Sequence, residues 1–482
     1  MKKTFNIFYL LVIAAMLLAA CAPAATTSTT GATLTETTSY PSDDSQLPAY
    51  PPAGNPPGGG AGDPPPGAGT GASSAETGLA TATGAYTLDG GSDTISGQSF
   101  TASSEDESGV YVLNGGRLTL NSVTVKTDGN TSSDENSSFY GLNAGVLATS
   151  GSTITMDGGA IDTTGTGANG AFAVGNGTAV NLSNLTITAT GDGGHGVMAT
   201  LGGVMTLTNV DMVTSGAHSA PIATDRGSGT ITATGGVLTT TGQDSPCYYS
   251  TGLLDITGST CNAFGSEAAV IEGANSVALT NSYLTSNIAD KWAVMIYQSF
   301  SGDAEGSDGV FTMSGGLLSY TDANGPLFYV TNTRGHILLM NVEVSAASGI
   351  LVKAEGNDRW GKSGANGGTV DLTADSQVLA GNFVADAISS LDIILQNDSM
   401  LTGAINTENT AQTASLGIDA SSTWNVTANS YLTCLSGAII SGDSITNIVG
   451  NGHTVYYDTN FCPALNGQTY TLKQGGILTP SK

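Results

Sequence analysis

The 482-residue chain carries 39 acidic and 12 basic residues, a formal charge of -27, 67 glycines and only 6% aromatics. Such a charge excludes nucleic-acid binding through basic patches, because phosphates would be repelled. So few Lys, Glu and Arg argue against long solvent-facing helices, while 39% hydrophobic residues suffice for a core.

Residues 1–20 read as an export leader. Lys2 and Lys3 precede an apolar stretch from Ile7 to Ala20 that is too short for a comfortable membrane span. The stretch ends in Leu18-Ala19-Ala20-Cys21, which resembles the lipobox of bacterial lipoproteins. The resemblance implies cleavage before Cys21 and acylation of its thiol. The chain would then be exported, anchored to the cell envelope by lipid and surface-exposed. A plain secretory signal cut near Ala20 is the alternative.

Residues 21–84 read as a tether, rich in Thr, Ser, Ala, Pro and Gly, with runs such as Pro64-Pro65-Pro66. This composition buries too little apolar surface to offset chain entropy. As a flexible coil it would span roughly 40–50 Å.

From residue 85 a pattern repeats: apolar, any, apolar, any, then Asn or Gly. Val180-x-Leu182-x-Asn184, Met205-x-Leu207-x-Asn209 and Phe311-x-Met313-x-Gly315 are clear copies. Ser122, Ala374 and Ala420 stand at the fifth position in weaker copies, and Asp93, Ile95 and Gly97 form a faint one ahead of them. The period of two predicts a strand with one buried face. Gly and Asn tolerate positive φ, so the fifth position predicts a tight corner. A second strand, a Gly-rich turn and a third apolar segment complete a repeat of about 25 residues.

The repeat resembles the right-handed parallel β-helix family, the architecture of pectate lyases and many surface adhesins. The resemblance covers residues 85–425. It implies an all-β, single-stranded solenoid of about thirteen coils, roughly 60 Å long, with an Asn ladder at the corner. Residues 426–482 break the period and predict a C-terminal β cap over an edge that would otherwise invite pairing.

Cys247, Cys261, Cys434 and Cys462 permit local disulfides, Cys247–Cys261 and Cys434–Cys462, in an exported chain. A buried core thiol is the other reading of Cys261.

The repeats at Leu118, Val277 and Ile337 are each about ten residues too long, which predicts loops at corners. Two of these loops, Ser299 to Gly309 and Ala354 to Gly367, should leave the same corner two coils apart. Beside them the third strands carry Tyr248, Tyr249, Trp292, Tyr297, Tyr329 and Lys353, with Arg359 and Trp360 in the second loop. Aromatic faces stack on sugar rings, so Tyr249, Trp292, Tyr297, Tyr329, Lys353, Arg359 and Trp360 are the candidate ligand-binding set for a polysaccharide or surface partner. Strand alternation offers the opposite reading, in which half of these aromatics point inward as core. Asp303, Glu305, Asp308 and Asp358 could hold Ca²⁺, a hard ion that prefers oxygen ligands; no other cofactor is indicated.

Two further functions remain open. A polysaccharide lyase or glycoside hydrolase on this fold needs a base or paired carboxylates in one cleft. Gly194-His195-Gly196 resembles one short motif of the polygalacturonase family, but the companion motifs are absent. A purely structural surface rod is the other alternative. Outward Thr residues recur at Thr119, Thr155, Thr206, Thr232 and Thr312, as β propensity alone would allow. An ice-binding array would need a regularity that Asp255, Ala278 and Leu338 interrupt.

Overall fold

A computed structural model describes residues 77–299, 304 and 306–481. The leader, Cys21 and nearly all of the tether lie outside the described residues, as do Asp303 and Glu305. From Thr83 onward the backbone winds as a parallel β-solenoid of about 16 turns. Among the described residues no helix is long and apolar enough to cross a membrane.

The local logic is clearest in strand Ala179–Ala189. Val180, Leu182, Leu185 and Ile187 are buried, while Asn184 takes φ 54° and turns the chain between the two halves. The next coil repeats this in register: Val180 pairs with Met205, Leu182 with Leu207 and Ile187 with Met212. One long strand therefore belongs to two faces of the solenoid. The third face is a ladder of twelve parallel strands from Thr83–Asp89 to Asn382–Ala385. It continues through Ile405 to Ser430–Leu432, Thr454–Tyr457 and Ile477–Pro480.

Inward side chains of all three faces form one continuous core, with Phe311, Phe328, Phe383 and Trp424 among its largest members. Phe311 meets Phe328 edge to face at 5.3 Å, and the Trp424 indole N–H donates to the Gly403 carbonyl at 2.9 Å. Each buried Leu or Ile contributes roughly 1.5–3 kcal/mol, realised only against neighbouring coils.

Left-handed corners recur at Asn184, Asn209, Asn281, Asn341 and Asn397. At Gly315, φ is 67° and an added Cβ would stand 2.4 Å from Asn281 Oδ1, so this rung takes glycine for room as well as for dihedral. The Asn ladder is short. Asn209 Nδ2 donates to Asn184 Oδ1 at 3.4 Å and Asn184 Nδ2 to Asp157 Oδ1 at 2.8 Å, and the Gly corners then interrupt it.

Three sequence expectations are corrected. The solenoid has about 16 turns rather than thirteen, because winding begins at Thr83 and persists to Pro480. Ser122 is itself a left-handed corner, at φ 51°. The copy read at Val370-x-Leu372-x-Ala374 is two residues out of step. Leu372 pairs with Ile337 and Ile393, and the corner falls at Ser376, φ 51°. An alternating strand looks the same after a shift of two, so only pairing resolves the register.

The C-terminal end closes on itself. Tyr470–Lys473 pairs in parallel with Ser444–Val449, and Ile477–Pro480 pairs in parallel with Thr454–Tyr457. These last two strands also pair antiparallel with each other, through Tyr470 with Leu478 and Thr471 with Ile477. Cys434 is bonded to Cys462, with Cα atoms 4.9 Å apart, and Cys247 to Cys261, with Cα atoms 6.1 Å apart.

Candidate functional site

In the middle of the solenoid, from Val146–Ala148 to Phe328–Thr331, nearly all third-strand positions are buried, on both faces. Val294–Tyr297 and Phe328–Thr331 are buried at all four positions. Their inward residues join the core, and their outward residues pack in clusters of their own outside it. Outward Leu147, Phe172 and Met198 are covered by the helix Asp134–Tyr140, which presents Phe139 and Tyr140. Ser133 caps that helix through its side-chain oxygen, and Gly141 ends it at φ 74°. The Arg226 guanidinium lies 4.3 Å above the Phe139 ring.

A second covered cluster contains most of the candidate set. Val270, Met295, Tyr297 and Tyr329 are buried there, with half-buried Tyr249, Trp292 and Trp360 packed against them. Trp292 stacks on Tyr329 at 3.9 Å, and Tyr297 tilts against Trp360 at 4.7 Å. Arg359 is exposed and sits 4.8 Å over the Trp360 ring. Lys353 pairs with Glu355 at 2.7 Å. Tyr248, by contrast, points into the core, where its hydroxyl meets Ser259 Oγ at 2.5 Å. The cluster thus follows neither sequence reading fully: Tyr297 and Tyr329 point outward but are covered, Tyr297 by Trp360 and Tyr329 by Trp292.

Amides staple the second loop in place. Asn357 Nδ2 donates to Thr331 Oγ1 at 2.6 Å, and Asn357 Oδ1 accepts the Arg359 and Trp360 N–H groups. Asn366 Nδ2 donates to the Asn357 and Trp360 carbonyls. One rung away, Asn332 Nδ2 donates to the Gln298 carbonyl at 2.6 Å, and Gln298 Nε2 holds the first loop through the Ala304 carbonyl at 2.8 Å.

Glu272 is the polar centre that sequence reasoning missed. It is 2% exposed and accepts hydrogen bonds from Tyr249 at 2.7 Å, Tyr297 at 2.6 Å and Ser299. Its signal was an acid closing the apolar run Ala269-Val270-Ile271. In this otherwise well-bonded neighbourhood the Trp292 indole Nε1 is buried without an acceptor, which costs about 1–3 kcal/mol. Tyr329 is held above the ordinary phenol pKa, chiefly by burial and then by the nearby Glu355 carboxylate.

The metal candidates are not gathered among the described residues. Asp308 opens a first strand, 3.4 Å from His336 Nε2, whereas Asp358 is exposed on the third-corner loop. Among the described residues no three His, Cys, Asp or Glu side chains come together as a metal site. Carboxylates do adjoin by register, since Ala354 pairs with Ala385 and Glu355 therefore neighbours Asp386. Both already hold structural partners. Glu355 pairs with Lys353, and Asp386 accepts the Gly356 N–H at 2.8 Å and the Ile388 N–H at 3.2 Å.

His195 occupies a turn beneath the helix-covered face. Its backbone N–H donates to Asn169 Oδ1 at 3.0 Å, and its Nδ1 lies 3.1 Å from the same oxygen. Some of its surface reaches solvent, but dense packing around the imidazole, helped by His218 one coil on, pushes its pKa down to about 4.

No protein-family model, curated protein or solved structure matches the chain.

Proposed function

We propose that this protein is an exported, lipid-anchored solenoid that binds a neutral polysaccharide at the Trp292–Trp360 cluster without cleaving it. The observation that carries this reading is the pair of half-buried tryptophans on one face, Trp292 stacked on Tyr329 and Trp360 held in the second loop by Asn357 and Asn366, with a buried Trp292 indole N–H that lacks an acceptor. A sugar hydroxyl is the kind of partner that would satisfy that N–H, and the part of the indole surface left open suits the apolar face of a sugar ring. Glu272, Glu355 and Asp386 on the same face disfavour polyanionic chains. The commitment of Glu355 to Lys353 and of Asp386 to backbone N–H groups supports binding over hydrolysis or elimination.

Export and anchoring rest on the leader and Cys21, and two disulfides suit an oxidising compartment. A glycan array probed with the mature chain, followed by product analysis, tests the reading. Binding to neutral glycans that falls at least ~10-fold in Trp360→Ala, with no new chain ends, is the expected result. Binding unchanged in both Trp292→Ala and Trp360→Ala, or release of oligosaccharides, would overturn it.

A further inference from the structure

Val204, Val213, Val237, Leu253, Phe264 and Tyr283 are each between 43% and 54% exposed, and all belong to four successive coils. They make up half of the large hydrophobics left open among the described residues, so the exposure is concentrated rather than scattered. Four of them lie on the second-strand face. Register places Thr186, Asp211, Val237, Thr260 and Tyr283 in one outward column, one rung apart. The neighbouring column runs from Asp162 through Thr188, Val213, Thr239 and Asn262, and Asp162, at the Ala160 end, is its one charge. Between the Thr186 and Tyr283 rungs Asp211 is the one charged residue, and its carboxylate already accepts the Val237 N–H at 2.8 Å.

We propose that this face is a weak isologous dimer interface for a second copy of the chain. Three features select that occupant. A basic partner finds no cluster of acids here. Copies of a chain with a formal charge of -27 repel one another over most of their surface, so they approach at least electrostatic cost where charge is sparse. Both copies also share one rung spacing of ~4.8 Å, so the outward columns of one match the grooves of the other along the whole face. From Ala160 to Leu317 the face measures roughly 30 Å by 15 Å, and two copies would bury on the order of 1,000 Å² in total, the lower edge of a specific interface. An interface of that size belongs with weak, transient associations, so dimerisation should depend on concentration in the micromolar range.

Sedimentation equilibrium of the mature chain carrying Cys21→Ser, so that no acyl chain is attached, tests this between ~1 and ~200 µM. The expected result is a monomer–dimer equilibrium whose Kd weakens at least ~10-fold in Val237→Glu/Tyr283→Glu, where like charges would face each other. Both positions point outward, and unchanged circular dichroism checks that the variant is folded. Thr119→Glu/Thr155→Glu on the first-strand face adds the same charge and should leave the Kd within ~2-fold. A monomer throughout the range, a dimer indifferent to Val237→Glu/Tyr283→Glu, or equal weakening by the control pair overturns the proposal.

Discussion

Trp292 lies flat on Tyr329, with ring centroids 3.9 Å apart and planes within 9° of parallel. The two residues come from successive coils, since Val294–Tyr297 pairs with Phe328–Thr331. The stack therefore ties one rung to the next outside the core. Offset aromatic pairs are worth about 0.5–1.5 kcal/mol beyond area burial. Trp292→Ala and Tyr329→Ala should each destabilise the chain by about 2–4 kcal/mol, and the double variant should fall short of their sum by about 1 kcal/mol. Urea denaturation of the four proteins measures this. Strict additivity would mean that the stack contributes nothing of its own.

Asn209 turns its coil at φ 51°. For a residue with a Cβ and no local hydrogen-bonding group, that region costs about 1–2 kcal/mol. Asn209→Ala should lose about that much stability, whereas Asn209→Gly should be nearly neutral. Comparing the two midpoints isolates the dihedral from the weak 3.4 Å bond to Asn184.

His195 sets a pH dependence. Its folded pKa of about 4 lies below the ordinary 6.5, so the unfolded chain binds the proton more readily. Stability is complete above pH 6.5, declines as pH falls through that value, and has lost its full increment below about pH 4. The loss is roughly 3 kcal/mol. In His195→Asn, the slope of stability between pH 6.5 and 4 should be shallower by nearly one proton. An unchanged slope would place the titration elsewhere.

The Cys247–Cys261 bond joins positions 14 residues apart, across successive coils. Reduction should destabilise the chain by about 2–4 kcal/mol. Cys247→Ser/Cys261→Ser should be less stable than the wild type by that amount when both are oxidised, and should match it when both are fully reduced. Thermal denaturation with and without dithiothreitol reads the difference.

The corners were legible because positive φ restricts residue choice sharply, and Asn184, Asn209 and Gly315 stand where the pattern placed them. Ser122 and Ser376 escaped because serine carries no such signature, and the two-residue slip at Val370 escaped because an alternating strand has no absolute phase. The candidate aromatics were identifiable, but their orientation was not. Alternation alone sorts residues into core and solvent, whereas Tyr297 and Tyr329 occupy an outward layer covered by Trp360 and Trp292. Continuous apolar runs such as Val294-Met295-Ile296-Tyr297 carried that information, since a strand apolar at every position is covered on both sides. Glu272 was beyond reach because its hydroxyl donors come from the coils on either side of it, Tyr249 from one and Tyr297 and Ser299 from the other.

The closing hairpin governs assembly at the C-terminal end. Tyr470–Lys473 and Ile477–Pro480 each use both edges, one on the preceding coil and one on each other. A stack of this kind is otherwise a template for its own extension, since its last rung offers the same hydrogen-bonding row as every rung before it. Here two of the three growing fronts are extinguished by a single short fold-back, and a chain ending before Tyr470 would reopen both. Such a truncation should turn a terminating particle into a fibre seed, with filament growth from the tail.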